Sequence, residues 1–85
     1  MTGIESRIKR ALYRAQHRGT KELDFILGRF AVAELAGFDA AELTAFEELL
    51  ALPDPQIDRW IKGEIAPPGV QPIIARIRRH HRLES

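Results

Sequence analysis

The sequence predicts an all-α protein, a small five-helix bundle folded as one compact domain over residues 1–85, and three observations carry that expectation. Apolar residues recur throughout at the spacing of a helix face, and no run of four or more residues alternates as a half-buried strand does. Helix caps and glycine or proline stops punctuate those stretches. The connections left between them are short, which makes successive helices antiparallel neighbours.

The first helix is expected from about Gly3 to His17, with Thr2 and Glu5 as a capping box and Ile4, Ile8, Leu12 and Ala15 as one stripe. Gly19 ends it, and Thr20 is placed to cap a second helix whose Glu22 and Asp24 sit near the positive end of its dipole. Leu23, Ile26, Leu27, Phe30 and Ala31 face inward, and the helix stops near Gly37. Gly28 lies inside it at a cost of about 1 kcal/mol relative to alanine, which points to a kink or a close helix contact.

A third helix opens at Asp39 with Glu42 completing a capping box, buries Leu43, Phe46, Leu49 and Leu50, and closes at Pro53. Asp54-Pro55 reads as an N-cap followed by proline in the first turn of a short fourth helix, with Ile57, Trp60 and Ile61 inward and Gly63 after it. Spacing from Ile57 and Ile61 places Trp60 in the core, with a contact role as the alternative. Ala66-Pro67-Pro68-Gly69 is a connector, and Pro72 starts a fifth helix carrying Ile73, Ile74 and Ile77 into a basic tail expected to fray from Arg78.

The chain has no cysteine, so packing alone must hold it, with a stability of about 3 to 5 kcal/mol at this size. No stretch approaches a membrane span, and the N-terminus lacks a secretory pattern; a soluble protein of the bacterial cytoplasm is expected. Net charge is only +1, but residues 1–18 set five cations against Glu5, and residues 33–64 set eight acids against Arg59 and Lys62. The tail carries Arg76, Arg78, Arg79 and Arg82 against Glu84. This is either a bipolar surface or a set of solvated helix faces that pair with one another.

Catalytic machinery is not in view. Outside Ser85 the only hydroxyl residues besides Tyr13 are Thr2, Ser6, Thr20 and Thr44, and two of these serve as caps. The glycines are scattered rather than clustered before a helix, so no nucleotide-binding fingerprint is present. His80 and His81 are adjacent and point about 100° apart on a helix, so they do not converge on a metal.

What stands out is the corner His17-Arg18-Gly19-Thr20-Lys21-Glu22-Leu23-Asp24. Its mechanical reading is a left-handed glycine between two helix ends whose charges suit their dipoles, each worth about 0.3 to 1 kcal/mol. Its functional reading is a rigid corner that projects Arg18 and Glu22 outward as a docking site.

Arg18-Gly19-x-x-Glu22 followed by Leu23-Asp24 resembles the RGxxE signature of the succinate dehydrogenase FAD assembly factor family, of the SdhE type. The likeness continues through Phe30, the acidic Phe46-Glu47-Glu48-Leu49-Leu50 segment, and Asp54-Pro55 followed by Trp60-Ile61, over roughly residues 4–63. The resemblance does not extend to the Pro67-Pro68 connector and the basic tail. The resemblance implies a protein-binding factor, not an enzyme, that engages the flavoprotein subunit of succinate dehydrogenase, or of fumarate reductase, and promotes covalent FAD attachment there. It implies Arg18, Gly19 and Glu22 as partner contacts, with Asp24 and Arg14 added to the set. FAD would be attached to the partner, with no cofactor held tightly by this chain, which is expected to be a monomer when free.

Two other readings use the same features. A nucleic-acid module would place phosphates on Arg7, Arg10, Arg14 and the tail, but the pI of 8.2 and the acidic centre weigh against it. An antitoxin-type regulator would use the corner against a toxin.

Overall fold

The computed structural model describes residues 3–83, and these form the five expected helices without a strand among the described residues. They are α1 (Gly3–Gln16), α2 (Lys21–Glu34), α3 (Ala40–Leu50), α4 (Asp54–Ile61) and α5 (Gln71–His80), with a 3-10 turn at Leu35–Gly37 after α2. The expected Thr2 cap of α1 lies outside the described residues. Thr20 caps α2 by accepting from the Leu23 amide at 3.2 Å. At α3 the capping box is complete: Asp39 accepts from Glu42 N at 2.8 Å, and Glu42 accepts from Asp39 N at 2.9 Å.

Three boundaries differ from expectation. Asp54 is not the N-cap of α4; Pro53, extended at ψ 144°, takes that place, and Asp54 is the first helical residue with Pro55 second. Its carboxylate is thereby released for a distant partner. α5 starts at Gln71, whose Oε1 accepts from Ala66 N at 2.8 Å. It then continues through Arg78 and Arg79 to His80, past the point where fraying is expected. Bonds from Leu83 N to Arg78 O and from Arg82 N to Arg79 O close it, with Arg82 left-handed at φ 57°.

The core runs the length of the bundle. Phe30, Phe38 and Phe46 meet with ring centroids 5.7 to 6.1 Å apart, joining α2 to α3. Ile57, Trp60 and Ile61 bury one face of α4, and Ile73, Ile74 and Ile77 bury one face of α5. On α1 the innermost residues are Ala11 and Ala15, with Ile4, Ile8 and Leu12 only half-buried, so the stripe sits about one residue round from its expected centre. Small side chains there let α2 come close. At Gly28 an added Cβ would lie 3.2 Å from Gln16 Cγ, which makes this glycine a close-contact residue.

The opposed charges meet across helices. Arg7 of α1 donates to Glu47 of α3 at 3.1 and 2.7 Å, and Arg76 of α5 donates to Glu34 and Glu42 at 2.7 and 2.8 Å. The hydrogen bond from Arg7, helped by the charges of Arg7, Arg14 and Arg10 and opposed by burial, lowers the Glu47 pKa. Pairing of helix faces thus accounts for much of the uneven charge.

Candidate functional site

The α1–α2 corner is built by its own backbone. α1 closes with His17 N donating to Arg14 O at 3.3 Å, and the His17 ring stacks on Tyr13 at 4.0 Å. Gly19 then takes φ +108°, a left-handed conformation that costs an L side chain about 1 to 2 kcal/mol. Nothing lies within 4 Å of a Cβ added there, so the requirement for glycine is conformational and not a matter of packing. Asp24, one turn into α2, accepts from the amides of Arg18 and Gly19 at 2.5 and 3.2 Å. Those bonds lock the corner from behind, and they account for Asp24 without any partner.

Arg18 does not project outward. Its side chain is 11% exposed and turns in against the α3–α4 junction. Nε and Nη2 donate to Asp54 Oδ1 at 2.9 and 2.6 Å, Nη2 donates to Leu52 O at 2.8 Å, and Nη1 donates to Leu50 O. The cause is unsatisfied acceptors: α3 ends at Leu50, and the carbonyls of a helix's last turn lack intrahelical partners. A planar guanidinium can serve a carboxylate and two carbonyls at once. The sequence gives Asp54 a capping role only, and no local signal pairs it with a residue 36 positions earlier.

Glu22 faces solvent in the first turn of α2, as expected. It lines a shallow groove with Thr20, Leu23, Asp54, Pro55 and Asp58, and on its other side approaches Ile26, Ile61, Lys62 and Leu83. Lys62 donates to Asp58 at 2.9 Å; that bond first, then the Asp58 and Glu22 charges, raise the Lys62 pKa. Phe25 follows along α2, 55% exposed, under the Arg29 guanidinium at 5.1 Å. Arg14 is half-buried, and its charge acts on Glu47 of α3. The structure therefore gathers Gly19, Glu22, Asp24 and the inward Arg18, adds Asp54 and Asp58, and leaves Arg14 on the flank towards α3.

Among the described residues no group of three or more histidine, cysteine or acidic side chains could hold a metal, and no helix is long and apolar enough to cross a membrane. His80 instead lies 2.9 Å from Glu34, and His81 lies 2.8 Å from Ile26 O.

A family described as the flavinator of succinate dehydrogenase matches residues 9–81, which contain the whole corner and its α4 partner. The chain belongs to that family. It is similar to the FAD assembly factor SdhE of Acetobacter pasteurianus, 38% identical over 65 residues that make up 76% of this chain and 60% of that protein. The SdhE of Legionella pneumophila is 33% identical over 64 residues, covering 75% of this chain and 81% of that one. A mitochondrial succinate dehydrogenase assembly factor 2 of Cryptococcus neoformans is 34% identical over 99% of this chain, which spans about half, 51%, of that protein. No solved structure matches the chain.

Within the family frame the RGxxE corner divides in two. Glu22 and the left-handed turn at Gly19 are its exposed part, and Arg18 and Asp24 are the part that holds it.

Proposed function

We propose that this flavinator-family chain is an assembly factor that binds the flavoprotein subunit of succinate dehydrogenase and promotes covalent attachment of FAD to it. The observation that carries the reading is the family match over residues 9–81. The names of the bacterial and mitochondrial relatives agree with it. FAD is cargo for the partner and is not held tightly by this chain, and the bond-making groups belong to the flavoprotein and the flavin. The chain contributes by binding one conformation of the flavoprotein better than others, which shifts its population by the difference in affinity.

In this reading the contact surface centres on Glu22 and the Gly19 turn, with Asp24 locking it and Arg14 at its margin. The factor acts as a monomer in the bacterial cytoplasm, on the succinate dehydrogenase flavoprotein and on that of fumarate reductase where one is present. Support for the site is geometric: Glu22 is exposed on a corner whose backbone is fixed at both Arg18 and Gly19.

The test is flavin fluorescence of the denatured flavoprotein subunit from cells lacking this chain, since only covalent flavin survives denaturation. The signal is expected to fall without the chain, to return with the wild type, and to return poorly with Glu22→Ala. Thr20 already caps α2, so Glu22→Ala is expected to cost only about 0.3 to 1 kcal/mol and to stay folded. Unchanged fluorescence in the deletion refutes the proposed function, and an unfolded Glu22→Ala returns the corner to its mechanical reading.

A further inference from the structure

Asp54 is the group on which Arg18 closes, through two bonds to one carboxylate oxygen, and the Asp54 side chain is itself only 24% exposed. Two further bonds from the same guanidinium reach the main-chain oxygens of Leu50 and Leu52. The cationic head that a partner would have to meet is therefore engaged inside the molecule, with four hydrogen bonds from a group that has five donors.

We infer that Arg18 and Asp54 form one positioning unit for the contact surface, that Asp54 is thereby a functional residue, and that Arg18 serves the partner without touching it. The inference rests on the proposed function and concerns how that same site is held. Arg18 is fixed at both ends: its side chain grips the α3–α4 junction, and its amide is held by Asp24 of α2. One residue thus ties the first turn of α2 to the first turn of α4. Those two turns are the walls of the groove that Glu22 and Asp54 both line. Opening the clamp lets the walls move against each other, and a partner that binds only one arrangement then sees a smaller competent fraction. Lysine cannot replace Arg18, because a compact ammonium does not span a carboxylate and two carbonyls as a planar fork does.

The test is a double-mutant cycle on binding to the purified succinate dehydrogenase flavoprotein subunit. Arg18→Ala, Asp54→Ala and the double variant are compared with Glu22→Ala as the contact control, using only preparations with the circular dichroism of the folded wild type. Arg18→Lys and Asp54→Asn replace any alanine variant that does not fold. Each single variant is expected to weaken binding about tenfold. The double variant is expected to be no weaker than the worse single one, because both remove the same clamp. A purely structural clamp would lower the melting temperature and leave the affinity of folded variants at the wild-type value, which overturns the inference. Loss on Arg18→Ala with wild-type affinity for Asp54→Ala overturns it too, by making Arg18 a direct contact, and so do additive losses. If the wild-type chain does not bind the flavoprotein at all, the proposed function fails and the inference falls with it; binding by wild type and clamp variants alike removes the inference alone.

Discussion

The molecule turns on a left-handed glycine twice, at Gly19 between α1 and α2 and at Gly63 after α4, and an arginine attends each turn. At Gly63, φ +124°, the helix end closes on itself: Glu64 N donates to Arg59 O and Gly63 N to Trp60 O, both at 3.1 Å. Arg78 of α5 adds a bond to Ile61 O from outside and another to Leu83 O at 2.8 Å. At Gly19 the direction is reversed. Arg18 belongs to the corner and reaches out to another helix end, so the corner and the α3–α4 junction are one mechanical unit. The Gly63 turn terminates a helix; the Gly19 turn fixes two elements against each other beside an exposed carboxylate. The same local device ends a helix in one place and, in the proposed function, supports the contact surface in the other.

Removing the two arginines tests that contrast most strongly. Arg18→Ala leaves a half-buried carboxylate and two carbonyls without their donor, and is expected to cost about 2 kcal/mol, whereas Arg78→Ala is expected to cost about 1 kcal/mol. At this chain length those costs lower the melting temperature by roughly 10 and 5 °C, read by thermal circular dichroism. Equal shifts would break the comparison. Replacing the glycines sharpens it. Gly19→Ala and Gly63→Ala should each cost about 1 to 2 kcal/mol in chemical denaturation, because backbone strain and not crowding opposes both. Flavinylation should then fall with folded Gly19→Ala and hold with folded Gly63→Ala.

The smallest effect concerns the Arg7–Glu47 bridge, which lies on neither turn. The Arg7 hydrogen bond depresses the Glu47 pKa in the folded protein, so its stabilisation is present above the unfolded-state value and is lost as pH falls through the folded-state one. Acid unfolding of Arg7→Ala should therefore show a slightly shallower loss of stability over that window than the wild type. An identical acid limb would assign that pH dependence to other carboxylates.

The fold was legible in the sequence to the extent that its determinants are local. The Asp39–Glu42 box, the Thr20 cap and the stops at Gly19 and Gly63 each depend on residues within about a turn of one another. Asp54 departs from its local signal by one position for the opposite reason: Asp before proline is a good cap by local rules, and here a remote cation engages it instead. The α5 terminus lies beyond Arg78, where a run of cations reads by local rules as a solvated tail. In the structure Arg76 is paired with Glu34 and Glu42, and Arg78 reaches across to α4.

By itself, then, the sequence determined five amphipathic helices, their caps, and an RGxxE corner specific enough to point to the family that residues 9–81 match. Only the tertiary structure decided which of the corner's charges faces outward. Helix capping is settled within one turn, but the direction of Arg18 is settled by acceptors 32 to 36 residues away. They come within reach only after α3 and α4 have packed, and burying a guanidinium is tolerable only where such acceptors satisfy it.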